Sequence, residues 1–289
     1  MSTWLNGRLV DSPTAPFDLS DRGLLLGDGV FDTALVLAGQ IVYREAHLSR
    51  LEAACRAIDI RVGRDELAAA MNAAAENLPL GVVRVTVTRG PAPRGLVPLQ
   101  AGRATIIASK TRLQSSAAFH DLTLWPSSIR RNEMSPSSRL KTLGYLDIIL
   151  AAKEARDHGF DESLLLNTRD RVACAGAGNL FLLKDRTLVT PPLEEGVMPG
   201  ILRATVLRLA PEIGLSVCER PMSLTDVTGA DAVFVSSSLK IVAPVKAVGA
   251  YAIPTRSRHV AELAAAVCAD IGSACRIDPS PYLQPEKCE

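Results

Sequence analysis

Residues 135–145 read Ser135-Pro136-Ser137-Ser138-Arg139-Leu140-Lys141-Thr142-Leu143-Gly144-Tyr145, and the segment that they open closes on Val172-Ala173-Cys174-Ala175-Gly176-Ala177-Gly178-Asn179. Between these ends, apolar periodicity predicts a helix over 144–158 and a strand over 162–167. Lys141 is the odd residue. Of the seven lysines, set against twenty-five arginines, the other six sit beside Asp, Glu, Arg or a turn, whereas Leu140, Leu143, Tyr145 and Leu146 surround Lys141. Such neighbours predict a buried amine; burial disfavours its charged form, and a neutral amine is a nucleophile. The competing reading is a stem packed on the core with its head in water.

Upstream, residues 4–10 predict a hairpin turning at Asn6-Gly7. The run Asp21-Arg22-Gly23-Leu24-Leu25-Leu26-Gly27-Asp28-Gly29 follows. Its glycines mark backbone that turns tightly or approaches something closely, and no Gly-Lys-Ser/Thr follows to make a P-loop. A second hairpin is predicted over 33–43, helices over 45–58 and 65–77, and strands over 81–88 and 104–109. Downstream, strands are predicted over 122–125, 179–183, 215–219 and 231–236. Pro199-Gly200 opens a helix that runs to Leu209, and a last helix covers 260–271. The expectation is an α+β chain: a small mixed α/β domain over 1–112, a linker over 113–119, and a larger strand-rich domain over 120–289 that carries the lysine.

The 289 residues carry a formal charge of +1 with acids and bases interspersed, which argues against a nucleic-acid or anionic-membrane surface as main partner. No apolar run of about 18 residues is present to span a membrane. The first residues lack the pattern of a signal peptide, so a cytoplasmic protein is expected. Six cysteines without a C-x-x-C pair predict small buried apolar side chains, not a disulfide framework or a metal site.

Three further features suit a phosphate. Arg50 offers a planar fork of donors. Gly200, Ile201 and Leu202 open a helix whose first N–H groups are unpaired and whose dipole favours an anion. Ser237 and Ser238 add hydroxyls and amides in a turn. Alone, Arg50 reads more readily as a solvated charge and the serines as a plain turn.

Together with Lys141, and in this order along the chain, these pieces resemble the class IV aminotransferases, the fold-type IV family that uses pyridoxal 5'-phosphate. The resemblance runs through Asp21-Arg22-Gly23, Gly27-Asp28-Gly29-Val30-Phe31, His47-Leu48-Ser49-Arg50-Leu51, Lys141-Thr142-Leu143-Gly144-Tyr145, Gly178-Asn179-Leu180-Phe181, Gly200-Ile201-Leu202-Arg203 and Ala230-Asp231-Ala232-Val233-Phe234. It implies that Lys141 forms a Schiff base with the cofactor and then shuttles a proton from the substrate Cα. It also implies that Arg50, the backbone of Gly200, Ile201 and Leu202, Ser237 and Ser238 hold the phosphate, with Tyr145 and Asn179 beside the cofactor. A homodimer is implied as well, because loops of the partner subunit complete the site in that family. Cys174 is a departure. The family has a glutamate there that keeps the pyridine nitrogen protonated, and a thiol supplies no counter-charge.

Within the family, Asp32-Thr33-Ala34-Leu35 departs from the Glu-Gly of branched-chain aminotransferases. At the positions that trap the substrate carboxylate in D-amino-acid aminotransferases stand Phe31, Arg94 and Leu96, of which only Arg94 matches. Phe31-Asp32-Thr33-Ala34, Arg94-Gly95 and Ser238-Leu239 are similar to aminodeoxychorismate lyases, where the threonine matching Thr33 protonates the departing pyruvate. The resemblance thus implies a ping-pong aminotransferase acting on an amino acid, expected to be a D-amino acid, and a 2-oxo acid. Pyruvate elimination from an aminodeoxychorismate-like substrate stays open, as does a cofactor-binding protein with little turnover.

Overall fold

The structure is a computed structural model that describes residues 3–10, 14–97, 102–114 and 118–284. It divides into two compact units, Met1–Ser115 with Leu140–Gly144, and Ser116–Arg139 with Tyr145–Glu289. The expected linker over 113–119 lies partly outside the described residues.

Unit 1 contains β1 (Thr3–Leu5), β2 (Arg8–Val10), α1 (Arg22–Leu26), β3 (Gly29–Leu37), β4 (Gln40–Ile41), α2 (Arg44–Ala57), α3 (Arg64–Ala75), β5 (Leu80–Thr88) and β6 (Thr105–Arg112). Its strands form an antiparallel sheet in the order β2-β1-β6-β5-β3-β4. Alternation sorts the side chains. Val30, Ala34 and Val36 on β3 and Val83, Val85 and Val87 on β5 join one core with Leu48, Leu51, Leu67 and Met71 of α2 and α3. Each of these large side chains, fully withdrawn from water, contributes about 2 kcal/mol. By the two-residue period, Phe31, Thr33, Arg84 and Thr86 lie on the opposite face. The glycine-rich run forms one helical turn, α1: Asp21 caps it by accepting from Gly23 N at 2.7 Å, and Gly27 ends it at φ 66°.

Residues Leu140–Gly144 group with unit 1, whereas the sequence reading put the lysine in the larger domain. The reason is backbone pairing. Phe31 N donates to Lys141 O at 2.8 Å, Leu143 N donates to Gly29 O at 3.0 Å, and Thr142 bridges Val30, so the segment lies along β3.

Unit 2 contains β7 (Leu122–Arg131), α4 (Leu146–Asp157), β8 (Glu162–Asn167), β9 (Val172–Ala175), β10 (Asn179–Lys184), β11 (Thr187–Thr190), α5 (Ile201–Leu209), β12 (Ser216–Glu219), α6 (Leu224–Thr228), β13 (Ala232–Ser236), β14 (Ala243–Val248), β15 (Tyr251–Ala252) and α7 (Arg258–Cys275). The sheet order is β12-β11-β10-β13-β14-β7-β8-β9, with β15 on β14. Phe181 and Phe234, paired across β10 and β13, stack with centroids 4.9 Å apart. Strand β7 continues past the predicted 122–125 through Pro126, and its register with β8 shifts there because proline offers no ladder donor. Strands β9, β11, β14 and β15 have no predicted counterpart. Among the described residues, no helix is long and apolar enough to cross a membrane.

Candidate active site

In unit 1 the Lys141 side chain is half-buried, which fits a stem packed on the core with its head toward water rather than a fully enclosed amine. Leu140 does pack against the core, but Leu146 is 65% exposed at the start of α4. A short segment laid along β3 leaves the lysine on the surface of the sheet. Its Nζ lies 4.4 Å from the centre of the Phe31 ring, and the Arg84 guanidinium carbon lies 3.6 Å from the same centre. Both contacts have cation–π geometry. Thr33 pairs with Arg84 across β3 and β5, so the structure brings Phe31, Thr33 and Lys141 to one face.

Arg84 was missed by the sequence reading. Its signal was the alternation Val83-Arg84-Val85-Thr86-Val87, which opposes a polar face to an apolar one, but only the strand register places Arg84 beside Phe31.

Arg50 lies on α2, and its fork is directed differently from the expectation. Nε and Nη2 donate to Asp32 Oδ2 and Oδ1 at 2.8 and 2.9 Å. His47 Nδ1 approaches Oδ1 at 2.5 Å and donates to the carboxylate. Asp32 is 2% exposed. Burial pushes its carboxyl pKa up, but the hydrogen bonds and charges of His47 and Arg50 outweigh burial and hold it at about 2. The bidentate pair orients the guanidinium and leaves Nη1 unengaged by Asp32. His47 Nε2 is buried with no partner among the described residues. Arg94 and Leu96 sit in the loop after β5, both exposed, Leu96 to 84%.

In unit 2 the phosphate candidates converge on Asn179. Its Nδ2 donates to Met198 O at 3.0 Å, and a Cβ on Gly200 would lie 2.0 Å from its Oδ1, so only glycine fits there. Across the β10–β13 pair it faces Ser236, and Ser237 and Ser238 follow directly. Asn179 thereby ties the start of α5 to the serine turn, acting on the site through Gly200. Ala204 N donates to Gly200 O at 3.0 Å, so the N–H groups of Ile201 and Leu202 have no partner within the helix. Ser237 Oγ accepts from Lys240 N at 3.1 Å, and Ser236 Oγ is buried without a partner among the described residues. Unpaired amides at a helix start, beside an orphaned hydroxyl and a serine turn, fit a phosphate group.

Cys174 packs with Ala151, Leu165, Ala173, Ile129 and Ile148. Burial pushes its thiol pKa up, Arg131 opposes this weakly, and Glu162 adds to the rise, so the thiol is neutral. Glu162 is itself occupied by Lys240 Nζ at 2.8 Å and by Ser163 N at 3.1 Å. Tyr145 caps α4 and is half-buried.

The sequence profile described as "Amino-transferase class IV" matches residues 29–248. A putative branched-chain-amino-acid aminotransferase of Methanocaldococcus jannaschii is 31% identical over 252 residues, covering 85% of this chain and 87% of that protein. A D-alanine aminotransferase of Listeria monocytogenes is 28% identical over 255 residues, covering 85% of this chain and 86% of its own. The crystal structure of 4-amino-4-deoxychorismate lyase from Pseudomonas aeruginosa superposes with a TM-score of 0.79 at 32% identity, over 89% of this chain and 95% of that one. Relatives thus include two kinds of transaminase and a lyase, and the profile covers both the lysine segment and the pieces expected to suit a phosphate. The chain belongs to the class IV aminotransferases, enzymes of fold type IV whose cofactor is pyridoxal 5'-phosphate.

Proposed function

We propose that the protein is a transaminase that moves an amino group between a D-amino acid and a 2-oxo acid. The observation that carries this reading is the placement of the half-buried Lys141 Nζ over the Phe31 ring, with the charge of Arg84 beside the same ring. An amine so placed is the nucleophile this reading needs, and the guanidinium beside it disfavours a second positive charge on Lys141. Asp32-Thr33-Ala34-Leu35, lacking the Glu-Gly of the branched-chain enzymes, supports the D-amino-acid assignment over a branched-chain one.

In unit 2 the amides of Ile201 and Leu202, with Ser237 and Ser238, would hold the cofactor phosphate; in unit 1 the fork of Arg50 suits the same kind of group. When bound, pyridoxal phosphate supplies the electron sink for a carbanion at the substrate Cα. Lys141 Nζ takes the Cα proton and returns it in the reverse half-reaction. Arg94 binds the substrate carboxylate as a bidentate partner, with Phe31 and Leu96 lining its apolar surroundings.

A second reading is favoured by Thr33, whose hydroxyl lies on the lysine's face of the sheet, where it could protonate a departing pyruvate. The test is a panel of D- and L-amino donors added to the yellow holoenzyme. Bleaching by D-alanine, reversed by a 2-oxo acid, is the expected result. Pyruvate released without an acceptor would establish the lyase, and no response to any donor would leave a low-turnover binding protein.

Assembly as a homodimer is part of the same reading. Leu24, Leu25 and Leu26 on α1 are 58, 63 and 51% exposed, and Leu146, Ile149 and Leu150 form an exposed stripe on α4. Large apolar side chains grouped in this way support burial against a second copy. Sedimentation of the holoenzyme as a monomer at micromolar concentration would refute it.

Cys174→Glu supplies the carboxylate that the family has at this position. Half-reaction rates with a good donor, followed by stopped-flow bleaching, are expected to rise about tenfold, because a neutral thiol gives the ring nitrogen no counter-charge. The variant should also unfold at lower temperature, since the larger polar side chain replaces one packed among Ala151, Leu165 and Ile148. Rates at or below wild type would refute this account of the cysteine.

A further inference from the structure

The proposed site gives no role to the run Asp21–Asp28, yet the polar side chains of Asp21, Arg22 and Asp28 are withdrawn from water and directed at one loop. Arg22 and Asp28 side chains are 6 and 15% exposed. Arg22 Nε donates to Asp28 Oδ2 at 2.7 Å, while its Nη1 and Nη2 donate to the carbonyls of Gly95 and Leu96 at 2.6 and 2.7 Å. Asp28 also accepts from Arg89 Nε and Nη2 at 2.7 and 3.0 Å, and Arg89 in turn donates to the carbonyls of Ile58 and Asp59. Nearer β5, Arg22 N donates to Gly90 O at 3.1 Å, and Asp21 accepts from Thr88 Oγ1 at 2.8 Å.

The loop is therefore held at two points. Backbone bonds fix residues 88–92, and the Arg22 fork fixes Gly95 and Leu96. Arg94 stands exposed between them. A planar guanidinium with three separate partners holds one orientation, which an ammonium could not do.

We propose that Arg22, locked by Asp28, is the positioning residue for Arg94 and thereby sets the affinity for the substrate carboxylate. This rests on the reading of Arg94 as the carboxylate-binding residue. With the fork in place, Arg94 is presented on a fixed backbone; without it, substrate binding has to order Gly95 and Leu96 as well.

The test compares holoenzyme carrying Arg22→Lys, which keeps the charge beside Asp28, with Asp28→Asn, which removes the lock, and with Arg94→Ala. For Arg22→Lys the KM of the amino donor is expected to rise about tenfold while kcat stays within about twofold, the pattern of lost binding without lost chemistry. The bound-cofactor spectrum stays that of wild type, and trypsin cuts after Arg94, identified by fragment mass, about fivefold faster or more. Asp28→Asn moves both quantities the same way. Wild-type cleavage and wild-type KM in Arg22→Lys would overturn the proposal. Faster cleavage with unchanged KM, when Arg94→Ala does raise KM, would overturn it too. If Arg94→Ala leaves KM unmoved, the carboxylate reading itself falls, and the cleavage rates alone decide whether Arg22 holds the loop.

Discussion

Lys141→Ala is expected to lower turnover by about 10³-fold or more while leaving the fold in place, because on the proposed reading it removes both the nucleophile and the proton carrier. The fold should survive because the segment is held by its backbone, through Phe31 N to Lys141 O and Leu143 N to Gly29 O, and alanine keeps both bonds. One contact the side chain gives up is that with the Phe31 ring, worth about 0.5–1 kcal/mol at a half-exposed site. The measurement is single-turnover bleaching with the best donor, paired with thermal unfolding. A variant that keeps a covalently bound cofactor, or reacts within about tenfold of wild type, would remove Lys141 from its assigned role.

Asp32→Asn is expected to be the most damaging change to stability. It takes the negative partner away from Arg50 and His47 in a buried position, and breaking a buried ion pair from one side costs about 3–5 kcal/mol. For a chain of this size that corresponds to a fall in Tm of about 10 °C. The loss should depend on pH. The folded Asp32 carboxyl has a pKa of about 2 against an ordinary 3.8, so its ionised form stabilises the native state fully above about 4. That contribution, on the order of 2 kcal/mol, disappears as pH falls from about 4 to about 2. Urea midpoints of wild type and variant should therefore differ widely at pH 7 and converge toward pH 2. Equal midpoints at pH 7 would show that the carboxylate does not hold unit 1 together. Cofactor affinity should fall in parallel, since Arg50 loses the partner that orients it.

The parts of this molecule that were legible in its sequence are those set by local pattern. The apolar period over 45–58 and 65–77 became α2 and α3, and the Pro199-Gly200 signal became the start of α5 with its unpaired amides. What was not legible depends on register or on partners distant in sequence. Lys141 has apolar neighbours, yet its exposure follows from where the segment lies along β3, which no local window contains. Arg50 looked like a phosphate fork, and nothing near it in sequence announced that Asp32, eighteen residues earlier, takes two of its nitrogens. Arg84 became visible only once the pairing of Thr33 with it was known. The glycines of the 21–29 run suggested an irregular turn, and it was a side-chain cap and a left-handed Gly27 that made a helical turn of it.

The pairing of residues 141–143 with β3 also bears on how the chain comes off the ribosome. Domains generally fold in the order of their synthesis. Here the first 115 residues lack part of their unit, because the Phe31 amide and the Gly29 carbonyl pair with Lys141 and Leu143. The nascent N-terminal unit must wait with that edge of β3 uncovered until residue 144 has emerged. The segment that carries Lys141 is thus the last piece of unit 1 to be made, and a fragment ending at 115 would expose an open strand edge of the kind that recruits other chains.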